Sequence, residues 1–193
     1  HVPASGWTIS DVTVYGYQTF SPTTSTITAM NFRIWNGPPN LGTSSVVFGD
    51  DTTNVLSSTA FTNIFREADS TPGITNRPIM SATASGLSIN LPAGTYWLDF
   101  QLDGSLASRP QAPPLTINGM TTTGNARQFF GAPWGPANDT GTITQQGFPL
   151  TIGGTVNELP MGEVREVPTN SSVLLFATLF GLLVLALPAI KRR

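Results

Sequence analysis

The chain has 193 residues, no cysteine, one histidine and 10% charged residues, with a formal net charge of −2 at pH 7. The lack of cysteine excludes a disulfide framework and any thiol nucleophile. The acidic balance, with the single lysine at Lys191, provides no electrostatic footprint for nucleic acid. This length suffices for one domain with a full hydrophobic core.

Charge is distributed unevenly along the sequence. Residues 1–170 carry six arginines against eleven acidic residues, a formal net charge of −5. Thr, Ser, Asn and Gly supply most of the remaining polar character, so electrostatic repulsion between copies is weak. We therefore expect a surface that permits self-association.

Short apolar runs separated by Gly, Pro, Asn and Asp clusters dominate residues 1–160, without a sustained 3.6-residue period. This pattern is typical of β-sandwiches and barrels. The predicted strands are 7–17, 27–35, 46–48, 61–65, 79–84, 87–91 and 95–102, followed by apolar islands at 115–117, 128–130, 142–144 and 148–152. We expect an all-β, antiparallel, jelly-roll-like β-sandwich over residues 1–156, with about eight to ten strands.

The clearest predicted strand spans residues 95–102, where apolar and polar side chains alternate. One face consists of Tyr96, Leu98, Phe100 and Leu102, and the other of Thr95, Trp97, Asp99 and Gln101. Because successive side chains point to opposite faces of a sheet, we expect the first set to lie in the core and the second outside it.

Three tryptophans outside the expected core are candidate ligand contacts. Aromatic rings can pack on the apolar faces of sugars, while amides and carboxylates bind sugar hydroxyls. Trp97 is flanked by Asp99 and Gln101, and Trp35 and Trp134 lie near turn-forming segments. The alternative is that these rings are covered by a loop, for which the proline-rich segment 109–114 is the candidate.

Calcium is the metal that the sequence offers ligands for. Asp50 and Asp51 lie in one turn with Asn54 nearby, and carboxylate and amide oxygens are the ligands that calcium prefers. No Asp-x-Asp-x-Asp-Gly loop is present. The alternative is that these two aspartates only hydrogen-bond the backbone of their own turn.

Catalytic motifs are sparse, so we expect a protein that is not an enzyme and has no cofactor other than structural calcium. A serine triad would need His1 as its base, and a copper-binding histidine brace would need a second histidine. Carboxylate pairs for glycoside hydrolysis could be drawn from Asp99 with Asp103 or from Glu67 with Asp69, but most proteins of this size offer such pairs.

The C-terminal segment has three parts. A polar linker over 157–170 contains Val167, Pro168 and Thr169; a hydrophobic helix is predicted over 171–193, with an uncharged run at 173–190; and the chain ends in Lys191, Arg192 and Arg193. The 18-residue run spans roughly 27 Å as a helix, enough to cross a thin bilayer. The terminal cations favour a cytoplasmic C-terminus, so the β-domain is expected outside the cell. A chain that starts at His1 is expected to have lost a signal peptide.

This three-part layout resembles the C-terminal sorting tails of PEP-CTERM and IPTL-CTERM bacterial surface proteins. Thr169 and Asn170 stand where the PEP form has Glu-Pro, so the layout carries the likeness more than the short motif does. The resemblance covers residues 167–193. It implies processing by an exosortase, a Gram-negative source and an exopolysaccharide or biofilm setting.

Two functions are therefore expected, both exported to the cell surface or exterior. The first is a structural subunit of the surface, the extracellular matrix or a filament. Its copies are expected to associate either through an edge strand such as 27–35 or 46–48, or through C-terminal helices packed together in the core of an assembly. The second is a carbohydrate-binding module, a lectin or adhesin of the biofilm matrix. Clustering of Trp35, Trp97 and Trp134 on one surface would favour the second function.

Overall fold

The computed structural model of the protein describes residues 1–67 and 70–158. This part of the chain is all-β, with antiparallel sheets and no helix. The strands are β1 Trp7–Gly16, β2 Ile27–Trp35, β3 Val46–Gly49, β4 Ser58–Phe65, β5 Pro78–Leu91, β6 Trp97–Gly104, β7 Arg127–Gln128, β8 Gly135–Pro136 and β9 Leu150–Val156. Asp69, the sorting motif at Val167, Pro168 and Thr169, and the predicted helix with Lys191, Arg192 and Arg193 lie outside the described residues.

The strands form two main sheets and one small ribbon. The four-stranded sheet has the order β4-β5-β1-β9, the three-stranded sheet has the order β3-β2-β6, and β7 pairs with β8. All of the strand pairs are antiparallel. Residues His1–Asn157 form one compact unit. Within the described ranges, no helix has the length and hydropathy needed to cross a membrane.

The hydrophobic core consists of alternate side chains from both main sheets. In β1, β2 and β5 every second residue is buried over much of the strand, as expected for strands with one face on a core. The central members of this cluster are Val12, Val14, Met30, Phe32, Ile34, Met80, Ala82 and Ala84. The apolar face predicted for β6, Tyr96, Leu98, Phe100 and Leu102, packs against the same cluster.

The predicted strands agree best with the structure where alternation is regular. β2 has the predicted limits, and β1 ends one residue before the predicted end. The predicted strands 79–84 and 87–91 are instead one strand, β5, which continues through Gly86 at a φ of 72°. Glycine adopts this left-handed conformation readily, and the β1 to β5 register shifts beside it. The islands 115–117 and 142–144 form no strand.

Candidate functional site

The pairing of β2 with β6 brings four polar and aromatic residues together, three of which are predicted ligand contacts. Arg33 is opposite Asp99, and Trp35 is opposite Trp97. Since Ile34, between Arg33 and Trp35, is buried in the core, these four side chains share the other face of the sheet. This face is the floor of the candidate site.

An ion pair fixes the polar centre of this floor. Arg33 donates from Nε to Asp99 Oδ2 over 2.8 Å, and its Nη2 lies 2.6 Å from the same oxygen. The Trp35 indole donates to that oxygen over 3.3 Å. The side chains of Arg33 and Asp99 are 20% and 9% exposed, respectively. A charged pair this sheltered is held in one geometry, so the negative charge of Asp99 is balanced by Arg33.

An aromatic cluster extends from the floor into the loops. The Trp35 and Trp134 rings meet edge to face, with centroids 6.5 Å apart, and the Phe129 ring lies 5.3 Å from that of Trp134. The Arg33 guanidinium lies 5.3 Å from the centre of the Trp35 ring. Trp35 therefore packs behind Trp134 and Asp99, and it holds both in place.

A cleft of about 510 Å³ runs along β6, which pairs only with β2 among the described strands. Its polar and aromatic lining includes Trp97, Asp99, Gln101, Asn125, Arg127, Phe129 and Trp134. Such a volume is in the range of small-molecule and oligomer sites, which combine apolar walls with a few polar groups. The cleft therefore has the size and chemistry of a binding site.

A second part of the lining, called the wall here, comes from residues 124–129 together with Gly147, Phe148 and Leu150. It is held by close backbone packing, because a Cβ added at Gly124 would lie 2.6 Å from the Gly147 Cα. The Ala126 N–H also donates to the Gln146 carbonyl over 2.9 Å. Phe148 anchors the wall to the sheet through an edge-to-face contact with Phe100, at 6.5 Å between centroids.

Gln146 is the buried polar residue that organises this wall, with 8% of its surface exposed. Its Nε2 donates to the carbonyls of Thr121 and Thr144 over 2.9 Å and 2.8 Å, and its Oε1 accepts from Thr123 Oγ1 over 3.0 Å. A buried amide with all of these bonds made rigidifies its surroundings. The cleft wall is therefore a preformed surface.

Arg127 is the second cation of the cleft. It follows Ala126 in the wall, and no described carboxylate lies within 4 Å of its guanidinium. Its Nε is buried and makes no hydrogen bond to any described residue. Buried donors almost always have a partner. Among the described residues, this Nε is one of four buried side-chain nitrogen or oxygen atoms that lack one.

Four of the five predicted ligand-contact residues line the cleft. Trp97, Asp99, Gln101 and Trp134 do so, whereas Trp35 lies behind them. The proline-rich segment 109–114 contributes Ala112 to the lining, and most of the cover comes instead from the segment around Arg127. The predicted site residues do not include four residues of this region: Arg33, Asn125, Arg127 and Phe129. Of these four residues, only Arg33 could have been found from the sequence, because it lies on the same face of predicted strand 27–35 as Trp35.

The Asp50 carboxylate, a predicted calcium ligand, is occupied by its own turn. Oδ1 accepts from the N–H groups of Thr53 and Thr52 over 2.6 Å and 2.8 Å, and Oδ2 accepts from the Thr53 hydroxyl over 2.8 Å. These bonds favour the ionised form and lower the pKa of Asp50. Asp51 instead contacts Arg33 over 3.3 Å. Residues 1–67 and 70–158 contain no group of three or more potential metal-binding His, Asp or Glu.

The other residues considered for catalysis are dispersed. Asp99 is paired with Arg33, whereas Asp103 is exposed at the end of β6. Glu67 is exposed, and its suggested partner Asp69 is outside the described ranges. The His1 imidazole lies within 3.3 Å of the Thr95 hydroxyl.

Comparison of the chain with protein-family models, curated proteins and solved structures found no match.

Proposed function

We propose that this chain is an exported, non-enzymatic cell-surface protein that binds polysaccharide in the cleft along β6. The observation that carries the proposal is the grouping of Trp97 and Trp134 in one cleft with the amides of Gln101 and Asn125. A sugar ring presents apolar C–H faces and a rim of hydroxyls, and this cleft presents indole rings beside amide donors and acceptors.

Rigidity of the cleft supports the same proposal. The Arg33 to Asp99 pair fixes the floor, and Gln146 fixes the wall. A site that is already ordered loses less conformational entropy when ligand binds, which favours affinity for a flexible polymer.

Export and cell-surface delivery complete the proposal. The likeness of residues 167–193 to exosortase-processed sorting tails, with a membrane stage in between, supports delivery to a biofilm matrix. We also class the two packed sheets as a jelly-roll-like sandwich, since β1 and β2 lie in different sheets and β1 is flanked by the sequence-distant β5 and β9.

Glycan-array and affinity-electrophoresis measurements on the full-length chain test this proposal. We expect binding to at least one extracellular polysaccharide, and a loss of affinity of about tenfold or more in Trp97→Ala, because hot-spot aromatics carry this much binding energy. Trp97→Phe retains a ring and should lose less. Phe20→Ala is the matched control, because Phe20 is 78% exposed and is not among the cleft-lining residues.

Two results would contradict the proposal. If the folded wild-type chain bound no glycan on the array above background, polysaccharide would be excluded as the ligand. Equal losses in Trp97→Ala and Phe20→Ala would remove the cleft as the site. Thermal unfolding of each variant, followed by circular dichroism, distinguishes lost binding from lost folding.

A structural subunit that pairs with its own copies is the second candidate, and strand β3 favours it. β3 lies at the edge of its sheet and pairs only with β2 among the described strands. Val46, Val47 and Phe48 are 39%, 47% and 38% exposed. An exposed apolar edge strand without charge is a template for pairing with another chain.

Sedimentation of the full-length Val47→Lys variant tests this second candidate. A charge on the edge should shift the chain toward smaller species if β3 mediates assembly. Ile143→Lys is the control, since Ile143 is 70% exposed and lies outside the strands. Both variants keep the same C-terminal segment, so a difference between them reports on β3. Identical size distributions would exclude this edge.

A further inference from the structure

The charged side chains that line the cleft sum to one positive charge. Arg33, Asp99 and Arg127 are the charged residues that line it, and Arg33 neutralises Asp99. Arg127 is therefore the cation of the lining that has no carboxylate within 4 Å among the described residues. This is notable in a chain whose residues 1–170 have a formal net charge of −5.

From this arrangement we propose that the cleft selects acidic sugars, with Arg127 binding the carboxylate of a uronic acid unit. This inference rests on the proposed function of the cleft. Guanidinium groups bind carboxylates through two parallel N–H···O bonds, which makes arginine well suited to this task.

The present environment of Arg127 is consistent with that role. Its buried Nε has no hydrogen bond to a described residue, and its guanidinium has no ion pair there. Rotation of the Arg127 side chain toward a ligand therefore breaks no ion pair, and no hydrogen bond of its Nε, with a described residue. Once the side chain has turned into the cleft, a carboxylate there would supply the partner that the Nε group, buried in the present conformation, lacks.

Neighbouring groups favour placing a carboxylate at Arg127 rather than at the floor. Arg33 already contacts Asp99 and Asp51, so its charge is compensated. Phe129 and Trp134 lie in the same lining as Arg127 and offer rings for the body of the sugar. The net negative charge of the domain is screened beyond about 8 Å at physiological ionic strength. The nearby Arg127 guanidinium therefore determines where a ligand carboxylate binds.

Matched acidic and neutral ligands test the inference. Full-length wild-type chain is titrated with oligomers of polygalacturonate, alginate and hyaluronan, each beside its carboxyl-reduced form, at constant ionic strength. We expect at least one acidic form to bind about tenfold more tightly than its reduced form. Arg127→Gln should reduce this preference to less than about twofold while it retains binding of the reduced form.

Arg77→Gln is the matched control for charge and for loss of an unpaired donor. Arg77 also has a buried Nε that makes no hydrogen bond to a described residue, but it is not among the cleft-lining residues. Its removal should leave the preference for the acidic form intact. Arg127→Lys, which keeps the charge without the planar fork, should retain only part of that preference.

Each outcome decides the question. Equal binding of acidic and reduced forms that is lost in Trp97→Ala overturns the selection of acidic sugars and keeps the polysaccharide site. A preference that persists in Arg127→Gln overturns the assigned role of Arg127. No binding to any oligomer overturns the selection, and flat binding on the wider glycan array overturns the proposed function as well.

Discussion

Arg33 and Asp99, 66 positions apart in the chain, are paired across β2 and β6, with Arg33 Nη2 and Asp99 Oδ2 2.6 Å apart. The Trp35 indole donates to the same oxygen. One carboxylate oxygen thus connects two strands and the aromatic cluster of the cleft. Charge-assisted bonds of this kind fix geometry, because several donors must be satisfied at once.

Asp99→Asn is expected to lower the free energy of unfolding by about 1–3 kcal/mol, measured by urea denaturation. The variant leaves a sheltered guanidinium beside a neutral amide, and hydrogen bonds to charged groups contribute about this much. Asp103→Asn is the matched control on the same strand. Since Asp103 is exposed, its change should stay within about 0.5 kcal/mol.

The double variant Arg33→Gln, Asp99→Asn separates the pair from its individual members. Removing both charges leaves no sheltered ion without a partner, since Asp51, the other carboxylate that contacts Arg33, is 54% exposed, so the double variant should lose less than the sum of the single losses. Additive losses would mean that the two residues act independently, contrary to their contact.

Gly124→Ala is expected to displace the cleft wall. The added Cβ would lie 2.6 Å from the backbone of Gly147, which cannot move aside as a flexible side chain can. We expect a stability loss of about 1–3 kcal/mol. We also expect faster amide hydrogen exchange at Ala126, because its N–H donates a hydrogen bond to the Gln146 carbonyl in this wall. Exchange is measured by mass spectrometry on peptides from this wall.

Gly42→Ala is the control for the wall experiment. A Cβ at Gly42 would meet nothing within 4 Å, and this glycine does not have a positive φ. Its exchange pattern and stability should match those of the wild type. Equal behaviour of the two alanine variants would contradict the tight backbone contact.

The structure explains why alternation predicted the strands unevenly. The sequence predicts β2 with its observed limits, because buried and outward residues alternate regularly from Met30 to Trp35. The sequence instead predicts two strands, 79–84 and 87–91, within β5, with Gly86 in the gap between them. In the folded chain Gly86 has a φ of 72° within a continuous strand, next to a register shift. Only the pairing with β1 reveals this.

The same contrast applies to the cleft. Trp97, Asp99 and Gln101 could be predicted, since they alternate on one face of a recognisable strand. Arg127 and Phe129 could not, since their segment has no periodicity and its position depends on distant bonds such as Ala126 to Gln146. The floor of the site is thus visible in local sequence, and its wall is set by long-range contacts.

Asp50→Asn is expected to remove a pH-dependent part of the stability. Bonds from Thr53 and Thr52 lower the pKa of folded Asp50 below the ordinary aspartate value of about 3.9. The stabilisation is therefore fully present above about pH 4 and is lost as the pH falls toward the lowered pKa. The stability difference between wild type and variant should shrink as pH falls from 6 to 2, in urea titrations.

Asp139 provides an independent test of the prediction that stabilisation by a carboxylate with a lowered pKa is lost as the pH falls. The N–H and hydroxyl of Thr142 and the N–H of Gly141 lower the pKa of Asp139 in a turn of the same kind. Asp139→Asn should show the same narrowing at low pH, and the double variant should be less pH-dependent than either single variant. A stability difference that stays constant over this pH range would contradict the assignment.

Met80→Ala separates the stability of the fold from the integrity of the cleft. Met80 is 0% exposed at the centre of the four-stranded sheet, and truncation of such a side chain costs about 2–5 kcal/mol. Ile64→Ala is the control, because Ile64 is 59% exposed and should cost less than about 1 kcal/mol. Because the cleft is built on β6 of the other sheet, the folded fraction of Met80→Ala should keep wild-type ligand affinity at low temperature. A fully folded Met80→Ala that binds more weakly would show that the two sheets are coupled at the site.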